Sequence, residues 1–170
     1  MDTNVKAVLR DIFSREGWPK YTEHPNDRGG PTKGGITLRT LESWRGRRCT
    51  REELKRLDKE EAFRILERRY VHCNGIDKLK DTPLKAQVID DAVLSGPFIA
   101  VQDLQRTVSS VDDGIIGPKT LKAIHDRGHE IVSRQLAVER SLRLARFVKR
   151  NPDQLVFLIG WLNRSLGFIK

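Results

Sequence analysis

The stretch that decides the fold is Glu16-Gly17-Trp18-Pro19-Lys20-Tyr21-Thr22-Glu23-His24-Pro25-Asn26-Asp27-Arg28-Gly29-Gly30-Pro31-Thr32-Lys33-Gly34-Gly35-Ile36-Thr37. Five glycines and three prolines break any helical pattern here, so the segment reads as irregular chain carrying a short β-hairpin. Before it, Val5, Val8, Leu9, Ile12 and Phe13 recur at helical spacing, with Asp2, Thr3 or Asn4 available as N-cap. That helix is expected to run to about Glu16 and to stop at Gly17.

Downstream the pattern is helical to the end. Thr50 with Glu53, and Asp58 with Glu61, have the spacing of a capping box or a close variant. Phe63, Leu66, Tyr70 and Cys73 form a stripe that Asn74-Gly75 stops. Thr82-Pro83 opens a helix so apolar, through Leu84, Val88, Ile89, Ala92 and Val93, that it is expected at the centre of the molecule. Gly96-Pro97, Asp112-Asp113-Gly114, Gly117-Pro118 and Asn151-Pro152 punctuate the remainder, around a long basic helix over 129–150. The class is therefore all-α with one small β-hairpin or loop. Trp44 and Trp161 fall on apolar helical stripes and are assigned to the core.

With 38% hydrophobic and 32% charged residues, the composition is that of a globular domain rather than a disordered or membrane-embedded chain. No run approaches the ~18 apolar residues of a membrane span, so no stable membrane insertion is expected. Met1-Asp2-Thr3-Asn4 lacks the basic and apolar regions of a signal peptide, and no export route is expected from it. Cys49 and Cys73 do not make a disulfide framework and read as free thiols. His125 and His129 stand at i, i+4 without further ligands, so no metal and no cofactor is expected. The net charge of +9 calls for an anionic partner. Its spread along the chain favours a cell envelope rich in carboxylates and phosphates over nucleic acid.

Chemistry is sought on the one long glycine-rich loop. Glu16 lies at a predicted helix C-terminus, where the macrodipole disfavours a carboxylate and raises its pKa, as a general acid requires. Position alone favours a solvated surface glutamate over a catalytic one. Asp27, eleven residues on, supplies the second carboxylate that glycoside hydrolysis commonly uses, and Glu23 competes for that role. Thr32 and Thr37 offer hydroxyls to hold a water, and Trp18 and Tyr21 offer ring faces for a sugar. Lys33, Arg28 and Arg39 are placed to meet substrate carboxylates, unless they form a solvated basic face.

The run from Glu16 to Thr37 resembles the signature of glycoside hydrolase family 108, N-acetylmuramidases of phages and of bacterial secretion systems. That signature reads approximately E-G-G-Y, then D-P-x-D-x-G-G-x-T-K-x-G-I-T. The segment Asp91-Ala92-Val93-Leu94-Ser95-Gly96-Pro97 is similar to the family's D-x-A-V-N-S-G. Two later runs, Ala100 to Arg106 and Asp113 to Leu121, resemble the predicted peptidoglycan-binding region that follows it, and Gly160-Trp161-Leu162-Asn163-Arg164 resembles its end. Trp18 replaces the family's second glycine, Pro19-Lys20 is inserted, His24 replaces an Asp and Leu94 an Asn.

The resemblance implies a lysozyme-like helical bundle. Residues 1–92 would form the catalytic region and 93–170 a peptidoglycan-binding region, packed as one globule. It implies hydrolysis of the β-1,4 bond between N-acetylmuramic acid and N-acetylglucosamine, with Glu16 as acid and, by analogy with phage lysozymes, Asp27 and Thr32 completing a trio. It implies a monomeric endolysin held in the host cytoplasm until it is released to the wall. The alternatives are a non-catalytic wall-binding module, a basic helical nucleic-acid binder and a lytic transglycosylase.

Overall fold

The computed structural model describes residues 7–10, 13–14, 17–23 and 30–169. Residues 7–10 and 13–14 are helical, and Leu9 and Phe13 bury their side chains in the core. The chain then turns at Gly17, which stands at φ +69°. The Gly17 amide donates to the Ser14 carbonyl and the Trp18 amide to the Phe13 carbonyl. This pair of bonds is the Schellman pattern that closes a helix on a left-handed glycine.

A small antiparallel sheet follows, built from β1 (Tyr21–Thr22), β2 (Thr32–Lys33) and β3 (Ile36–Thr37) in that order. The expected hairpin is thus the β2–β3 half of a three-stranded sheet. Gly34 and Gly35 turn it with φ of +52° and +78°, the two positive values that a type I′ turn requires. The register sets Thr32 opposite Thr37 and Lys33 opposite both Ile36 and Tyr21.

The helices begin and end where their capping chemistry dictates. Helix α1 (Leu38–Arg45) starts on the Thr37 hydroxyl, which accepts from the Thr40 amide, and closes on left-handed Gly46. Helix α2 (Arg51–Lys55) carries a full capping box from Thr50 and Glu53. Helix α3 (Lys59–Tyr70) starts on the Asp58 carboxylate. Glu61 there leaves the reciprocal bond and pairs with Arg45 at 2.6 Å, which makes this the expected variant. Prolines at the first turn open α4 (Pro83–Ser95), α5 (Pro97–Thr107) and α6 (Pro118–Arg127). The long α7 (His129–Arg150) and the apolar α8 (Leu155–Leu166) finish the chain. The body is all-α with one small sheet, and α4 lies at its centre with every residue from Leu84 to Ala92 buried.

One cluster of buried apolar side chains runs from Leu9 and Phe13 through Ile36, Leu54, Leu66 and Ile89 to Leu104, Ile116 and Leu136. Two polar devices tie its halves together. The first is a ring of buried charges. Arg140 is fully buried and stands 2.9 Å from Asp90 and 3.1 Å from Asp91. Its N–H groups are not aligned for hydrogen bonds, so attraction between the charges holds it. Arg143 hydrogen-bonds Asp91 at 2.8 Å and also binds Asp103, while Arg164 of α8 reaches Asp90 at 2.7 Å. Burial raises the Asp103 pKa against the opposing pull of Arg143.

The second device is a clamp on the Asp113–Pro118 turn. Asn74 donates to the Gly114 carbonyl at 2.7 Å and accepts from the Ile116 amide at 2.8 Å through its own carbonyl. Gln105 donates to Asp113 and Ile115 and accepts from the Gly114 amide. Gly75 fits because a Cβ there would stand 2.6 Å from the Ile116 carbonyl oxygen. The residues that resemble a wall-binding motif therefore serve here to close the molecule.

Trp44 corrects the sequence reading. It is 40% exposed, because Leu41 takes the buried position of the short α1 and Trp44 turns away from it. Trp161 is half-buried, against Phe147 and Phe157. Cys49 and Cys73 are free thiols, and burial raises the Cys73 pKa to about 11.

Candidate active site

Glu16 and Asp27, the two carboxylates that the sequence nominates, lie outside the described residues. The surrounding frame is described. The helix cap at Gly17 immediately follows Glu16 in the chain, and the sheet that holds Thr32 begins four residues later. Thr32 is half-buried, and its hydroxyl donates to the Gly30 carbonyl at 3.1 Å, so its oxygen lone pairs can still accept a hydrogen bond. Thr37 faces it across β2–β3 and spends its oxygen on the cap of α1, with a second contact of 2.9 Å to the Thr40 hydroxyl.

Trp18 follows the capping Gly17 directly. Its ring meets Phe13 edge-on at 5.3 Å and lies against Gly34, where a Cβ would come within 2.4 Å of the indole. Trp18, Phe13 and Phe63 line one side of a groove of about 910 Å³ that Arg10, Arg64 and Glu67 border. The indole is therefore part of the wall that supports the hairpin, with one side open to that groove.

Tyr21 is half-buried, and its hydroxyl donates to Glu23 at 2.8 Å. Glu23 in turn pairs with Arg51 at 2.7 Å. The competing carboxylate of the loop is thus engaged in an exposed ion pair.

Lys33 corrects the sequence reading. Its side chain is buried, and its ammonium donates to the carbonyls of Lys55 and Leu57, the latter at 2.8 Å, beneath the Trp18 ring. Lysine at this strand position points into the body, where the carbonyls at the end of α2 and just past it accept from its ammonium. It pins the sheet to α2 rather than meeting substrate carboxylates.

The sequence reading passed over Thr40, Ser43, Arg68 and Arg69. With Thr37, Arg39 and Trp44 they line a basic groove of about 720 Å³ between α1 and α3. The signal was present in the i, i+4 spacing of Thr40 and Trp44 and in the adjacent pair Arg68-Arg69. Among the described residues, no group of three or more His, Cys, Asp or Glu side chains is arranged to hold a metal ion.

With this frame in place, comparison with known proteins gives the class. The model of the glycosyl hydrolase 108 family matches residues 9–96, and that of a predicted peptidoglycan domain matches residues 99–166. The chain belongs to the glycosyl hydrolase 108 family, and is a glycoside hydrolase whose substrate is peptidoglycan. A solved structure, that of Brucella abortus SagA, is similar over 99% of this chain and 96% of its own, with 33% identity and a TM-score of 0.73. No curated protein matches.

Proposed function

We propose that the protein is an N-acetylmuramidase. In this reading Glu16 protonates the oxygen leaving between N-acetylmuramic acid and N-acetylglucosamine, while Asp27 and Thr32 aim the water. The observation that carries the reading is the frame around Glu16. A glycine-capped helix end runs directly into a small sheet, and that sheet presents Thr32 with an accepting oxygen. Glycoside hydrolysis uses a carboxylic acid and a group that can hold a water, and the sequence sets Glu16 directly before this helix cap.

A lytic transglycosylase would need the acid but no aimed water, because the sugar's own 6-hydroxyl attacks. The two reactions leave different ends. Hydrolysis leaves a reducing muramic acid, heavier than the 1,6-anhydro product by one water, about 18 Da. Mass spectrometry of digested sacculi is expected to give the reducing form, and borohydride is expected to shift it. Chiefly anhydro products would overturn the roles given to Asp27 and Thr32.

The endolysin role belongs to the same proposal. A cytoplasmic monomer would lyse its host only after the membrane is breached. Expression with and without a chemically induced membrane lesion tests this, and lysis without a lesion would contradict it. Among the described residues, no helix is long and apolar enough to cross a membrane.

A further inference from the structure

We propose that the groove between α1 and α3 binds the acidic peptide stems of peptidoglycan beside the point of cleavage. The inference rests on the peptidoglycan reading above and adds what the enzyme recognises besides sugar.

The groove starts at the candidate site. Thr37 lies at its rim and is the direct cross-strand partner of Thr32. A glycan lying over Thr32 therefore has the groove one strand away, within reach of a substituent on the muramic acid.

The groove is one-signed. Arg39, Arg68 and Arg69 line it, and none of the described residues lining it is acidic. Arg39 and Arg68 have no carboxylate partner among the described residues, unlike Arg45 of α1, which pairs with Glu53 and Glu61. The nearest acids on the same helices are committed elsewhere. Glu42 accepts from the Cys49 amide, and Glu67 borders the groove on the other side of α3 and approaches His72. Arg69 is held in position by the Thr40 hydroxyl at 3.0 Å and by the Tyr70 ring at 5.5 Å.

Like charges gathered in a cleft repel one another and focus a positive field, so an entering carboxylate is favoured by both effects. The planar guanidinium forks suit carboxylates in particular, since each can give two parallel hydrogen bonds. Trp44, 40% exposed at the groove's edge, gives a flat apolar face that a sugar ring or a stem methyl can cover. Peptide stems carry several carboxylates on a short, partly apolar chain, and this lining is complementary to them.

The test measures binding separately from cleavage. Glu16→Gln protein is titrated with soluble glycan chains that carry stems and with the same chains stripped of stems by an amidase. The stem-bearing chains are expected to bind at least about tenfold more tightly. Adding Arg39→Gln and Arg68→Gln is expected to erase that difference and leave the affinity for bare chains unchanged. Arg39→Lys with Arg68→Lys is expected to keep part of it. Arg56→Gln with Lys119→Gln removes the same charge at exposed sites outside the groove and is expected to keep all of it.

Equal affinity for both chains in the parent, or an equal loss in the two glutamine pairs, would overturn the proposal. So would a loss that extends to bare chains. Product release by the wild-type enzyme separates the two readings. If wild type releases no muramic acid ends, the proposed function fails. If it releases them while the stems make no difference to binding, the groove assignment fails alone.

Discussion

Arg140→Leu should cost more stability than any other single substitution on α7. Arg140 is fully buried between Asp90 and Asp91, and a leucine of similar bulk keeps the packing while removing the charge. Two buried carboxylates on adjacent residues of α4 would then keep Arg143 and Arg164 but lose the cation that stands between them. Breaking a buried pair by removing one partner costs about 3–5 kcal/mol, because the remaining charge has lost its compensation. For a chain of this size each kcal/mol moves the melting temperature by roughly 2–4 °C, so a drop on the order of 10 °C is expected. The assay is thermal unfolding followed by circular dichroism, with a double-mutant cycle against Asp91→Asn. That second change removes one of the two carboxylates that Arg140 compensates, so the double variant is expected to be more stable than additivity allows. A fall of less than about 1 kcal/mol in Arg140→Leu, with additive behaviour in the cycle, would refute the argument that the charge ring joins the two halves.

Three further outcomes follow from the same structure. Gly34→Ala forces a side chain onto φ +52° and drives its Cβ within 2.4 Å of the Trp18 indole, so activity on sacculi should fall together with stability, and unchanged turnover would contradict the support given to Trp18. Glu61 and Glu53 have carboxyl pKa values lowered in the fold, chiefly by hydrogen bonds from Arg45 and Arg47 respectively, Glu53 to about 2. A lowered carboxyl contributes stability above its unfolded value of ~4.3 and loses it as pH falls through the folded value, so the melting-temperature gap between wild type and Glu61→Gln should narrow below about pH 4. A gap constant down to pH 2.5 would contradict that. A fragment ending near Ala92 exposes the core positions that Val101, Leu104 and Ile116 cover and leaves Asp90 and Asp91 without their arginines, so it should be insoluble and inactive. A soluble, active fragment would show that the two matched regions fold independently.

Local signals made the fold legible. Thr50 with Glu53, Thr82-Pro83, Gly96-Pro97 and Gly117-Pro118 mark helix ends through chemistry that acts within a few residues, and each stands where its pattern places it. Gly17 was legible for the same reason. What escaped was contact across the chain. Lys33 reads as a free cation until β2 turns it toward the carbonyls of Lys55 and Leu57, more than twenty residues away. Trp44 reads as core on periodicity, yet an eight-residue helix has only one buried position, and Leu41 holds it. Asp91 and Arg164 read as parts of two separate motifs, and only the packing of α4 against α7 and α8 makes them members of one charge ring. The motif that resembles a wall-binding signature was visible, but the clamp it forms with Asn74 and Gln105 depends on tertiary structure.

The central claim is that Glu16 gives up the proton that breaks the glycosidic bond. The most direct measurement is the rate at which purified sacculi release reducing muramic acid ends, wild type beside Glu16→Gln, with the melting temperature of each. The glutamine keeps shape and removes the titratable proton, so the account predicts a loss on the order of a hundredfold or more with an unchanged melting temperature. A Glu16→Gln enzyme that works within about threefold of wild type would contradict it.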